Sequence, residues 1–212
     1  MLHDPSHYEP PAVAEEIRLT SKDADTLRRL AGEVAEIAGL PIHQETARLW
    51  QKLNDLQSER PMVWINEICW HEMNVDDELT LRTGHPWAQG QERELRRTLY
   101  QWKHLPADTV VNDFLTCPLA IHSTDFGIIE DVDIVSTSDA GDIVSRHFNV
   151  QIREPEDIQK IKMPVVTHNT EATELWLRAM EEVYGGILPV RKMGQTHIWF
   201  TPWDYLIRWW GI

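Results

Sequence analysis

Three short apolar runs set the limits on this fold. MVWINEI (62–68), TVVNDFL (109–115) and ILPV (187–190) have the length and composition of strands, and long stretches of chain separate them. Antiparallel neighbours can be joined by a two-residue turn, whereas parallel neighbours need a crossover of a dozen residues or more, usually helical. Both intervening stretches carry helical periodicity. The pattern predicts an α/β fold with three parallel strands side by side, connected by right-handed crossovers. Function in such folds sits at the C-terminal strand ends, so polar residues after each run are expected to rim one face.

The helical signals are sharper. Leu27, Leu30, Val34 and Ile37 recur at helical spacing and predict a helix over 22–38, ended by Gly39 with Pro41 beyond. A second helix fits 42–57, making an antiparallel pair over 21–58. The charged run QERELRRTLYQWKH predicts an outer helix over 88–104, with a thin stripe of Leu95, Leu99 and Trp102 and an i,i+4 pair in Glu92 and Arg96. Turn signals around alternating residues predict short hairpin strands inserted at about 125–152. A short helix is expected over 154–161, an amphipathic one over 170–185, and a last one over 202–210. Thr201 is the expected N-cap of that last helix, with Pro202 at N1. Residues 1–20, with Pro5, Pro10 and Pro11, read as a loose arm. Residues 59–212 then form the strand-bearing domain.

Charge and composition exclude several classes. The formal net charge is −14, with no basic stripe, which argues against nucleic acid as a partner. No apolar run reaches the roughly 20 residues that span a bilayer, and the polar N-terminus lacks a signal-peptide pattern. Two cysteines, Cys69 and Cys117, are too few for a disulfide framework, which fits a reducing cytoplasm.

The candidate chemistry follows the strand-like runs. Glu67, His71 and Glu72 follow the first and offer an acid, a base or a substrate contact; the alternative is ion pairing to helix arginines. Asp113 and Asn112 interrupt the second run, where a buried carboxylate is costly unless paired or placed at a cleft. Cys69, His71, Cys117 and His122 could form a four-ligand metal set, although their spacing fits no familiar zinc pattern. Gln195 and His197 follow the third run. His168 and the tryptophans have bland core readings, but Trp209 and Trp210 near the end are expected to be exposed and to seek a partner.

The order of these pieces resembles the uroporphyrinogen decarboxylase superfamily. RPMVWINEI (60–68) resembles its first barrel strand and DTVVNDFLTCPLAI (108–121) its second. DFG (125–127) resembles the turn before an inserted hairpin, HFNVQIREPEDIQKI (147–161) the segment leading into a short helix, and ILPVRKMGQT (187–196) the third strand. The likeness runs from about residue 22 to the end. It implies a partial (β/α)8 TIM-type barrel, its first three strands preceded by a helical pair.

The decarboxylase's arginine-rich run is replaced here by NEICWHEM. The resemblance therefore points to the corrinoid-dependent methyltransferase branch and a small methylated substrate. It maps the family's strand-two aspartate onto Asp113, which would hydrogen-bond substrate; by their position after the first run, Glu67 would do the same and His71 would donate a proton. Trp64, Asn66, Asn112, Gln195 and His197 would line the mouth. Cobalamin would be carried by a partner corrinoid protein, with no metal ligands on this chain. Zinc would arrive only with a C-terminal half-barrel. Pairing with that half, or self-association, is expected. The alternative is a non-catalytic assembly or small-molecule-binding subunit.

Overall fold

The computed structural model describes residues 17–136, 144–195 and 201–211. The chain is a mixed α/β protein, and its described residues fall into two compact units that interleave along the sequence. A helical unit takes residues up to 117 and then 173–193; a β-rich unit takes 118–172 and residues from 194 onward.

The helical unit is built on α1 (Ser21–Ala38), α2 (Pro41–Asn54), α3 (Pro86–His104) and most of α4 (Thr170–Tyr184). Thr20 caps α1 by accepting the Asp23 N–H at 3.1 Å, and Asp23 bonds back to the Thr20 backbone. This reciprocal cap satisfies N–H groups the first turn would otherwise leave orphaned. Leu27, Leu30, Ala31 and Val34 are buried along one stripe of α1, which packs against α3. Burying each leucine is worth about 2 kcal/mol. Trp176, Met180, Val183 and Tyr184 supply the buried face of α4, and Arg28 donates to the Val183 carbonyl. The two strands of this unit, β1 (Leu115–Pro118) and β6 (Val190–Met193), are hydrogen-bonded neighbours. Leu115 N–H donates to Pro189 O at 2.9 Å where they meet. Because α4 lies between them in sequence, the pair is joined through a helix-bearing connection.

The β-rich unit has two antiparallel ribbons. In one, β2 (Ile121–Ser123) pairs with β5 (Val166–His168), with Ile121 opposite His168. In the other, β3 (Val132–Ser136) pairs with β4 (Val144–Phe148), with Val132 opposite Phe148. The ribbon β3–β4 is the hairpin that the alternating residues predict. A 3-10 helix over Pro155–Lys160 separates β4 from β5, and α5 (Pro202–Trp210) follows β6. Gly211 ends α5 at φ +68°, where an added Cβ would lie 2.6 Å from Phe148 O. Only glycine fits both the left-handed backbone and the close approach.

Several expected elements are displaced. Residues 61–69 contain no strand. Their backbone is tied chiefly by side chains instead: Val63 N–H donates to the Asp108 carboxylate at 2.8 Å and Gln101 Nε2 to Ile65 O at 2.7 Å, with one backbone bond, Asp108 N–H to Val63 O, at 3.0 Å. The second run forms a strand only at Leu115–Pro118, after a bend at 113–114, and the third only at Val190–Met193, after a turn through Gly185 and Gly186. The helix α2 stops at Asn54, because Leu56 takes φ +60° and Gln57 N–H folds back to Lys52 O. The helix α3 starts at Pro86, earlier than expected, with His85 accepting the Trp87 N–H. Thr201 makes no side-chain cap to α5. Trp209 is buried beside Phe126, while Trp210 is 44% exposed.

Candidate functional site

A cleft of about 360 Å³ opens in the helical unit between α3 and the segment 109–116. Its volume lies in the range that holds small organic ligands. The helix α3 contributes Gln91, Glu94, Thr98 and Gln101, one helical face repeating every three or four residues. Asn112, Phe114 and Thr116 line the opposite wall, and Val34, Leu95 and Met180 add apolar surface. Among the described lining residues Glu94 is the sole charged side chain; it faces Arg97 at 3.7 Å.

The wall 109–116 is fixed from both ends. At its start Asp108 takes both guanidinium nitrogens of Arg60, at 2.5 and 2.9 Å, and Trp50 Nε1 donates to the Asp108 carbonyl at 2.7 Å. The Arg60 guanidinium and the Val63 N–H hold the Asp108 carboxyl down at about 2. In the middle, buried His43 accepts the Val111 N–H on Nδ1 at 3.2 Å, so its proton sits on Nε2. Burial holds this imidazole below its ordinary range. At the far end Leu115 joins β6. The guanidinium of Arg191 sits 4.0 Å from the Phe114 ring centroid and 3.9 Å from Asp113 Oδ1.

The expected site residues are placed unevenly. Asn112 and its neighbours Phe114 and Thr116 line the cleft. Asp113 has a 77% exposed side chain at the bend, so it bears no burial cost, and its partner is Arg191. Trp64 (62% exposed), Asn66 and Glu67 lie exposed on the extended segment 61–69. His71 is half-buried in a 3-10 turn (Trp70–Glu72), 3.6 Å from Glu72. Gln195 is exposed in the β-rich unit, as is His122, whereas Cys69 and Cys117 belong to the helical unit, the first exposed and the second buried. His197 lies outside the described residues. Among the described residues no three His, Cys, Asp or Glu side chains form a group able to hold a metal ion. No helix among them is long and apolar enough to cross a membrane.

Two carboxylates of the helical unit, Glu92 and Asp23, are buried, and neither was assigned a site role from the sequence. Glu92 is fully buried on α3 and accepts from Arg82 N–H, Thr83 N–H, Thr83 Oγ1 and Arg96 Nε, all within 3.0 Å. Burial opposes its charge, but these donors together hold its carboxyl below the usual range. Asp23 accepts the next N–H, that of Gly84, at 2.8 Å, and that bond leads the causes that lower its own carboxyl. Three consecutive amides, 82 to 84, are thus pinned by α1 and α3. The spacing Ala88, Glu92, Leu95 puts Glu92 on the buried face and was the available signal. Gln91 carried no such signal. No protein-family model, curated protein or solved structure matches this chain.

Proposed function

We propose that this chain is the N-terminal portion of a uroporphyrinogen decarboxylase-like protein of the corrinoid-dependent methyltransferase type. It holds part of the site for a small methylated substrate and is inactive in methyl transfer by itself. In this reading β1 and β6 are two strands of a partial (β/α)8 barrel, and the extended segment 61–69 takes its place as a third when the C-terminal half is present. The pairing of β1 with β6 across α4, with a ligand-sized cleft beside β1, is the observation that supports it best. The resemblance of residues 60–68, 108–121 and 187–196 supports it independently.

Asn112 on the cleft wall binds substrate, and Asp113, ion-paired to Arg191, supplies the carboxylate at the bend. Glu67 and His71 act at the neighbouring segment. The exposed Val63 and Trp64 meet the C-terminal half. As the resemblance implies, zinc is assigned to the C-terminal half and cobalamin to a partner corrinoid protein.

A methyl-transfer assay tests this reading. Loss of reduced corrinoid is followed spectroscopically with methylated amines, thioethers or methoxybenzenes as donors. The chain alone is expected to be silent. Co-expression with a C-terminal half-barrel of the corrinoid-dependent branch is expected to give transfer, which D113N abolishes. Absence of transfer from the combination, or transfer indifferent to D113N, contradicts the proposal. A second reading, a non-catalytic small-molecule-binding subunit, is favoured by one observation: the cleft is lined within the helical unit alone. It predicts ligand binding weakened by N112A with no transfer under any combination.

A further inference from the structure

Gln91 and Gln101 are cleft residues whose amides are oriented by groups outside the cleft. Tyr184 is wholly buried at the end of α4, and its Oη lies 3.5 Å from Gln91 Oε1. A buried phenol O–H without an acceptor is costly, so the Gln91 oxygen accepts from Tyr184. Burial also pushes the phenol pKa far up, which keeps that proton in place. With its oxygen taken, Gln91 has its Nε2 donors to offer the cleft. Gln101 is set the other way: its Nε2 donates to Ile65 O at 2.7 Å, leaving Oε1 as an acceptor. No lysine or arginine lines the cleft among the described residues, and Glu94 is already paired with Arg97, so a bound anion would find no countercharge there.

We propose that Gln91, oriented by Tyr184, is the specificity-determining donor of this cleft, and that the cleft takes small neutral molecules bearing a hydrogen-bond acceptor. The assignment rests on reading the cleft as the substrate site. It makes Gln91 a ligand contact and Tyr184 a positioning residue acting through it. A donor held by a buried partner discriminates because a ligand of the same shape without an acceptor leaves the amide unpaired.

Three probes of nearly equal shape test this on the full chain. Acetophenone carries a carbonyl acceptor, α-methylstyrene replaces that oxygen with CH2, and benzoate is an anion. Titrations are read by two-dimensional amide NMR, including the Gln91 side-chain NH2. The expected result is acetophenone binding about three- to tenfold tighter than α-methylstyrene, with benzoate weakest. The variant Q91E keeps an acceptor for Tyr184 and removes the donor, and should bring acetophenone down to the α-methylstyrene level. The variant Y184F, nearly isosteric, should weaken acetophenone and leave α-methylstyrene unchanged. Shifts at the cleft with no preference between the first two probes, or with Q91E indifferent, overturn the assignment of Gln91 while leaving the cleft as a site. No shift at the cleft with any probe overturns the cleft reading and this inference with it.

Discussion

The helical and β-rich units use the same apolar vocabulary to different effect. In the helical unit Leu27, Leu30, Val34, Leu95, Met180 and Tyr184 are buried, and two carboxylates are buried with them. In the β-rich unit Ile129, Met163, Val165 and Val166 are each more than half exposed, and the ribbons are only two strands wide. A two-stranded ribbon has no second layer of its own and is marginal without one. Ala120, Ile152, Ala172 and Trp209 are buried there; Trp209, packed beside Phe126 with its carbonyl accepting from Gln151 and Ile152 N–H, anchors α5. Burying a continuous stripe needs long amphipathic helices, and those are concentrated in the unit that carries the cleft.

Removing a buried carboxylate is the most severe way to break this contrast. E92A strands Arg96 and leaves Arg82 and Thr83 N–H unpaired, and should cost the helical unit about 3–5 kcal/mol in urea unfolding. Asp157 plays a similar part in the β-rich unit, accepting from Arg153 and Glu154 N–H, but from a more exposed position. D157A should shift the unfolding midpoint less. If the two losses are equal, the contrast is wrong.

Core truncation sharpens it. L27A, at a site with no exposure, should cost about 2–5 kcal/mol. I134A, at a site 56% exposed, should stay within about 0.5 kcal/mol.

Acid should act on the helical unit in two stages. The His43 pKa is depressed in the fold, so its contribution is complete above its unfolded value near 6.5 and declines as pH falls below it. Glu92, Asp23 and Asp108 are likewise depressed. Their contributions are complete above about pH 4 to 4.5 and are lost as pH falls through the folded values. Amide exchange against pH, which reads the two units separately, should show both stages at α1 and α3, with H43Q removing the upper one.

The helices were largely legible because their signals are local. Leu27 to Val34 fixes the face of α1, Gly39 its end, and Pro202 the start of α5. The strands were less so. MVWINEI has a strand's composition, yet its backbone partners are the side chains of Gln101 and Asp108 and the Asp108 N–H, far along the chain, and nothing within 62–68 encodes them. Asn112 could be placed at a site because it interrupts an apolar run. Gln91 could not, since its significance lies in Tyr184, on a helix distant in sequence.

The pairing of β1 with β6 across α4 is the step on which the proposed barrel rests. NMR cross-peaks between residues 115–118 and 190–193, together with a slowly exchanging Leu115 amide, are the predicted result. A Leu115 amide that exchanges as fast as an open loop, with no cross-peaks to 190–193, would contradict it.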